Sequence, residues 1–204
     1  MWTLPVLLYA LLWLGFGAGH SLLAAERGRK WLERAAGGAD RLVYNLIALA
    51  HLGLVLALGA WLLGGLPGFA LPGAVRAILA LAVFAGLAIL VIAGRSYDLG
   101  RFSGLAQLRR GAPDRAIGPE PLATGGMNAR VRHPLYLGLL LVLWGGATTP
   151  FTLATALCGT VYVLIGIRFE ERKLLRLYGD TYRAYRDRVP MLLPWPRRAT
   201  PGAR

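Results

Sequence analysis

The 204-residue chain is 56% hydrophobic and only 16% charged, which leaves too little polar surface to cover a soluble globular domain. Its net charge of +13 could suit nucleic acid, but the basic residues flank long apolar segments, so we expect no nucleic-acid partner. Cys158, the single cysteine, lies in an apolar run, which excludes a disulfide framework and a cysteine-based site; we predict no metal.

Three apolar stretches come first in the chain, at about residues 3–24, 42–63 and 74–93. Each has roughly 20 residues, enough for a helix to span a hydrocarbon core of ~30 Å, and each therefore predicts a transmembrane helix. The first stretch lacks the basic start of a signal peptide and is followed by further membrane helices, so we expect it to be retained.

The fourth apolar run, residues 135–167, is too long for one crossing and contains the sequence GGATTP at 145–150. This sequence favours a turn, in which Thr149 caps a new helix that begins at Pro150. We therefore predict helices at about 135–147 and 150–177, the first short for a full crossing. The fold class is all-α: one polytopic membrane domain, residues 1–204, with about five transmembrane helices, the last two a helical hairpin.

Charge distribution predicts the orientation of this domain. In the arrangement above, 22 of the 23 basic residues and all ten acidic residues lie on one side of the membrane, with Arg76 the exception. The positive-inside rule then places the N-terminus outside and the C-terminus in the cytoplasm. Abundant Ala, Leu, Gly and Arg hint at a GC-rich bacterial genome, hence a bacterial inner membrane. The lipid bilayer is an expected partner, since basic flanks bind anionic headgroups.

Two polar motifs flank the predicted hairpin, one containing His133 and the other Glu170 and Glu171. His133 is 16 residues from the turn at Thr149, and Glu170 is 21 residues from it. In antiparallel helices this difference corresponds to only ~8 Å of height. We therefore expect the imidazole and the carboxylates to meet at the cytoplasmic surface, in a part formed by about residues 96–134 and 168–198.

Each of these features also has a structural explanation. Pro134 is ordinary at a helix start, and the two glutamates could pair with Arg168 or Lys173 at the interface. Downstream, Gly179 predicts a chain break before a short interfacial helix that ends near residues 189–190.

Two motifs resemble a known family. The segment 132–138, RHPLYLG, resembles the RHPxYxG core of the isoprenylcysteine carboxyl methyltransferase and phospholipid methyltransferase superfamily. The segment 170–194 resembles that superfamily's EExxL…GxxYxxY…VP…LP ending. The two motifs lie within about the last 85 residues, in the family's order and at its separation. Residues 19–22 and 97–107 more loosely resemble nurim-like, NnrU-like and thiol methyltransferase relatives.

The resemblance implies a membrane methyltransferase that binds S-adenosyl-L-methionine at the cytoplasmic surface between the last helices. Carried over by position, Leu122, Ala123 and Gly126 would line the cofactor through their backbone. The other cofactor-binding residues that it implies are His133, Pro134, Leu135, Tyr136, Glu170 and Glu171. A carboxylate suits the cofactor's sulfonium and amino group, and Arg130 or Arg132 suits its carboxylate.

Two positions depart from the family pattern. Asn128 stands where an aromatic residue is usual, and Gly166 where the prenylcysteine enzymes have an arginine that holds the acceptor's carboxylate. The nearby Arg168 lies on another side of the same helix. The expected acceptor is therefore a small thiol or a lipid, an apolar molecule reached from the bilayer, before an isoprenylcysteine-like carboxylate. The alternative is a non-catalytic membrane scaffold or regulatory protein that retains the fold.

Histidines within the predicted membrane helices are further candidates, because an ionisable group there often has a function. A thiol acceptor would gain from a base, and His20 lies near the inner end of the first helix. His51, in the middle of the second helix, could equally bridge helices. We predict His20 and Arg168 as the residues that assist catalysis. Asp98 either contacts the cofactor or caps a turn, and both interpretations stay open.

Overall fold

The computed structural model describes residues 3–113, 116 and 121–194. Over these residues the chain forms eight α-helices and no β-strand, with short 3₁₀ turns between some of them. Of the predicted cofactor-binding ranges, residues 114–115, 117–120 and 195–198 lie outside the described residues. The helices are α1 Thr3–Ala24, α2 Glu26–Ala36, α3 Asp40–Leu63, α4 Gly73–Gly94, α5 Leu99–Ser103, α6 Leu105–Arg110, α7 Pro134–Gly145 and α8 Pro150–Arg188.

Four helical segments of the described chain are long and apolar enough to cross a membrane: Thr3–Ala24, Glu26–Leu63, Gly73–Gly94 and Pro150–Arg188. In the most apolar 18-residue stretch of each segment, at most 22% of the residues are buried. Their apolar side chains therefore face outward, as a lipid environment requires. The protein is therefore a polytopic all-α membrane protein. The membrane-spanning part of α8 ends at Ile167, because charged side chains begin with the next residue.

The predicted helices agree closely with the observed ones. The fourth predicted helix, α7, has 12 residues and a length of ~18 Å, and is short for a full crossing, as expected. The Thr149 hydroxyl accepts a hydrogen bond from the Thr152 N–H at 3.1 Å, which confirms the predicted cap of α8. Gly179 adopts a left-handed φ of +52°, which confirms the predicted break, and the chain then continues as helix to Arg188.

The described chain divides into two compact units; the single domain stays a prediction. The first unit comprises Met1–Leu71, Tyr97–Pro119 and Ala147–Cys158. In it α1 packs against α3, where the side chain of Phe16 lies between the rings of His20 and His51, 5.7 and 5.3 Å away between centroids. The Tyr9 hydroxyl is 2.8 Å from the hydroxyl of Thr155 in the first part of α8.

The second unit comprises Pro72–Ser96, Glu120–Gly146 and Gly159–Arg204. Its helices α4 and α7 are antiparallel and pack closely, because glycines lie at their contacts. A Cβ on Gly138 would come within 2.9 Å of the carbonyl oxygen of Gly86, and a Cβ on Gly145 within 2.6 Å of the carbonyl oxygen of Leu79. Such close approach through small residues is typical of helix pairs in membranes, where apolar surface alone gives little drive to associate.

Candidate active site

Two contacts within the second unit establish how α7 meets α8. The Trp144 indole N–H donates to the Thr160 hydroxyl at 2.9 Å, and His133 Nε2 lies 3.3 Å from Glu171 Oε1. Both contacts correspond to the same antiparallel register, because the two residues on each helix are eleven positions apart. The juxtaposition expected from the sequence, with an imidazole and a carboxylate pair at one end of the hairpin, is therefore observed.

Arg132 organises this end of the hairpin. Its Nε and Nη2 atoms donate to Glu171 Oε1 at 2.8 and 2.6 Å. Its Nη1 atom donates to the carbonyl oxygens of Arg186 and Val189 at 3.1 and 2.6 Å. The side chain of Arg132 is only 5% exposed, so its charge is neutralised by these acceptors rather than by water. This arginine, one of the two candidates for the cofactor's carboxylate, is therefore already engaged within the protein; Arg130, the other, is exposed.

The two adjacent carboxylates have different surroundings. Glu171 is 17% exposed, and burial by itself would raise its pKa. The hydrogen bonds and positive charge of Arg132, with His133 beside them, outweigh burial and hold the pKa of Glu171 below its usual range. Glu170 is 42% exposed and reaches His133 only through a contact of 3.8 Å between Oε2 and Nδ1. Glu171 is thus bound to the protein, whereas Glu170 is accessible.

The segment after α8 is fixed against the start of α7. The backbone N–H groups of Arg132 and His133 donate to the carbonyl oxygens of Pro190 and Met191 at 2.9 and 3.1 Å. This segment belongs to the family-like ending at residues 170–194. Its VP dipeptide was a visible signal, but nothing in a single sequence indicates which backbone groups it pairs with.

Aromatic residues of the last part of α8 lie next to the Arg132–Glu171 cluster. Tyr182 and Tyr185 are buried with Val189, and Leu122 packs against them. Burial and the neighbouring Glu171 carboxylate raise the pKa of Tyr182, which keeps its hydroxyl protonated. The Tyr185 hydroxyl donates to the backbone carbonyl of Asn128 at 2.6 Å, so the loop before the RHP motif is tied to α8.

The remaining predicted cofactor-binding residues lie in the same unit as this cluster. Leu122 is half-buried, Ala123 is exposed, and Gly126 is exposed with a left-handed φ of +58°. Pro134 is buried at the start of α7, with Leu135 and Tyr136 half-buried after it. The Tyr136 ring is 5.6 Å from the His133 ring between centroids. The structure thus gathers all nine predicted cofactor-binding residues into the second unit.

The two residues predicted to assist catalysis are not part of the Arg132–Glu171 cluster. Arg168 lies in the second unit and is exposed on α8. His20 lies in the first unit, where its Nε2 atom is 2.7 Å from the Tyr44 hydroxyl. Asp98 also lies in the first unit, and its carboxylate accepts a hydrogen bond from the Arg101 N–H at 3.0 Å at the start of α5, which makes it a helix cap.

Comparison with known proteins gives this arrangement a family. The chain is 30% identical over 202 residues to methanethiol S-methyltransferase 1 of Bradyrhizobium diazoefficiens, which covers 94% of this chain and 68% of that protein. It is also 30% identical over 202 residues to a methanethiol S-methyltransferase of a Pseudomonas species, which covers 95% of this chain and 75% of the relative. The chain belongs to the isoprenylcysteine methyltransferase-like superfamily.

The match to the isoprenylcysteine branch of this superfamily is shorter. Protein-S-isoprenylcysteine O-methyltransferase of Mus musculus is 37% identical over 81 residues, which are 36% of this chain and 28% of the mouse protein. No protein-family model and no solved structure matches the chain. The protein is therefore a membrane methyltransferase by its relatives, and its helical architecture agrees with that assignment.

Proposed function

We propose that the protein transfers a methyl group from S-adenosyl-L-methionine to a small alkyl thiol of the methanethiol type. In this proposal it lies in a bacterial inner membrane with the N-terminus outside and the C-terminus in the cytoplasm. The observation that carries the acceptor assignment is the similarity, over 94% of this chain, to a protein named for methanethiol. The cluster of Arg132, His133 and the two glutamates supports the proposed donor site.

The residues present suit this cofactor. Glu170 is a half-exposed carboxylate beside a buried imidazole, which suits a ligand that carries a positive sulfonium and an ammonium group. Gly125 and Gly126 are exposed, and Gly125 has open space where a Cβ would be, so their backbone is accessible to a ligand. Leu122 and Tyr136 are half-buried and supply apolar surface for a nucleoside. When bound, the cofactor supplies an electrophilic methyl group.

The protein's own task is to hold the two reactants in line and to exclude water. Glu170 would bind the cationic part of the donor, and Glu171, anchored by Arg132, would keep His133 and the start of α7 in place. Pro134 and Leu135 would close the apolar side of the donor site. A half-buried carboxylate in this position also favours a cation over a neutral, demethylated product, which helps product release.

The acceptor must lose a proton, because the thiolate is the stronger nucleophile and even the cysteine thiol, with a pKa of ~8.5, is mostly protonated at neutral pH. The role of His20 in accepting this proton stays a prediction; within the first unit its Nε2 atom lies 2.7 Å from the Tyr44 hydroxyl. We propose that the exposed Arg168 adds positive charge that favours the thiolate. A small apolar thiol would enter from the bilayer. A prenylcysteine acceptor is less well supported, since Gly166 replaces the arginine of those enzymes.

The test uses the full chain in detergent with labelled S-adenosyl-L-methionine and methanethiol, and measures dimethyl sulfide in the headspace. Glu170→Gln should raise the KM for the cofactor by roughly 10- to 100-fold, the equivalent of one hydrogen bond to a charged group. Glu26→Gln is the matched control, because Glu26 pairs with Lys30 on the exposed surface of α2 and should leave KM unchanged.

Other acceptors and ligand binding distinguish the alternatives. Transfer to a farnesylated cysteine analogue, with none to methanethiol, would replace the thiol by a prenylcysteine acceptor. Calorimetry with S-adenosyl-L-methionine and its demethylated product measures binding without turnover. Folded protein that binds neither compound would favour the non-catalytic scaffold.

A further inference from the structure

The end of α1 and the start of α3 carry two short surface elements that methyl transfer does not explain. The first is α2, which begins two residues after α1 ends. Ala25 between them is extended, with φ −65° and ψ 159°. A Cβ on Gly28 would come within 2.7 Å of Leu23, so α2 turns back across the end of α1 rather than continuing along its axis.

The outward face of α2 is basic and aromatic. Arg27, Trp31 and Arg34 are exposed, and at 100° per residue they lie within about 60° of one another around the helix. Trp31 is 57% exposed, whereas Leu32 on the inner face is 3% exposed. Guanidinium groups beside an exposed indole are typical of a helix that lies in the headgroup region of a bilayer, where the ring is half in lipid and the charges face phosphates.

The second element, α5 with α6, adds apolar and basic side chains next to the first. Phe102 is 59% exposed and Leu108 is 47% exposed, and Arg109 and Arg110 are exposed directly after them. An isolated surface leucine is ordinary, but exposed apolar side chains followed by paired arginines repeat the composition of the α2 face.

Contacts to the backbone of α5 and α6 fix these two helices near the start of α3. The Asn45 amide in α3 donates to the carbonyl oxygens of Phe102 and Ser103, both at 3.0 Å. A Cβ on Gly38, in the turn after α2, would lie 2.8 Å from the backbone of Gly111. These contacts place both elements in the first unit, beside the first turns of α3.

We propose that the outward faces of α2 and α5–α6 form one docking surface for the headgroups of anionic phospholipids, which we name the basic collar. Its guanidinium groups, Arg27, Arg34, Arg109 and Arg110, bind the lipid phosphates, while Trp31 and Phe102 lie at the level of the glycerol and upper acyl chains. Charge complementarity selects an anionic over a zwitterionic lipid. The basic collar lies outside the donor site and its function does not depend on methyl transfer.

The test is titration of the full chain in non-ionic detergent with phosphatidylglycerol or phosphatidylcholine, with bound lipid counted by native mass spectrometry. A basic residue at an anionic membrane surface contributes about fivefold in binding, so Arg27→Gln with Arg34→Gln should weaken phosphatidylglycerol binding by about 25-fold. The charge-retaining pair Arg27→Lys with Arg34→Lys should bind nearly as the unmodified chain does, which also reports on folding.

A matched control removes the same charge elsewhere. Arg183→Gln with Arg188→Gln alters two exposed arginines after Gly179 and should leave phosphatidylglycerol binding within about twofold, the scatter expected when no site is lost. Equal affinity for the two lipids in the unmodified chain would overturn the proposal. So would an equal loss in the Arg183/Arg188 pair, because net charge rather than the basic collar would then explain the binding.

Discussion

Replacing Arg132 by methionine tests whether one guanidinium holds the candidate site together. The change keeps an unbranched apolar stem but removes the four hydrogen bonds to Glu171 and to the carbonyl groups of Arg186 and Val189. Removing one partner of a buried ion pair costs about 3–5 kcal/mol, because the other charge stays buried. Glu171 is 17% exposed and keeps its contact with His133, so we expect about 3 kcal/mol.

A double-mutant cycle separates the ion pair from the carbonyl contacts. Glu171→Gln keeps an acceptor oxygen and should cost about 1–2 kcal/mol. When both changes are combined, no unpaired carboxylate remains. The loss of unfolding free energy in the double variant should therefore be about 1.5 kcal/mol smaller than the sum of the losses in the two single variants. The remaining loss reports the two carbonyl oxygens.

The measurement is the free energy of unfolding from denaturation in mixed detergent micelles. Arg130→Met is the matched control, since Arg130 is exposed two residues away, and it should change stability by less than about 0.5 kcal/mol. An Arg132→Met protein as stable as this control, or strictly additive effects in the cycle, would refute the role given to Arg132.

Three further predictions use the same unfolding measurement. The pKa of Glu171 is lowered in the folded protein, so its contribution to the free energy of unfolding is present above the ordinary glutamate pKa of ~4.3 and is lost as the pH falls through the lowered value. The unmodified chain should therefore lose stability more steeply with acid than Glu171→Gln does. Parallel pH profiles of the two proteins would contradict this. Gly138→Ala should cost about 1–3 kcal/mol, since its Cβ would lie 2.9 Å from a carbonyl oxygen of α4, whereas Gly53→Ala, with open space around it, should be neutral or stabilising. Tyr185→Phe should cost about 1–2 kcal/mol by removing its hydrogen bond to the Asn128 carbonyl, and an unchanged stability would exclude a role for that bond.

The membrane helices could be predicted from the sequence because their signals are local. Apolar length defined α1, α3 and α4 to within about two residues, within the usual uncertainty of helix ends. Thr149 before Pro150 marked the start of α8, and Gly179 marked its break, because caps and left-handed glycines depend on a few neighbouring residues.

The short helices α2, α5 and α6 were missed because charged and apolar residues alternate in them on a scale of one or two turns. The composition around Arg27, Trp31 and Arg34 is typical of a loop, so their helical spacing could not be recognised from the sequence. The structure shows the helix by burying Leu32 on its inner face. The role of Asp98 could not be predicted either, since helix capping and ligand contact require the same residue type. Only the geometry of its hydrogen bond distinguishes the two roles.

The meeting of His133 with Glu171 could be predicted from helix length alone, but the role of Arg132 could not. From the sequence, Arg132 is a candidate ligand for the carboxylate of the cofactor, because a basic side chain binds an anionic group. Its actual acceptors include two backbone carbonyl oxygens more than fifty residues away, at Arg186 and Val189, and backbone acceptors leave no trace in a sequence.

These observations explain how a membrane hairpin can present a defined polar site. In lipid the apolar faces of α7 and α8 gain little by associating, so their register depends on the polar contacts at the two ends. Trp144 with Thr160 fixes one end, and Arg132 with Glu171 fixes the other in the same register. Because Glu171 has this structural role, the adjacent Glu170 is the carboxylate that faces outward. The ion pair between Arg132 and Glu171 sets the position of Glu170 along α8 relative to the start of α7.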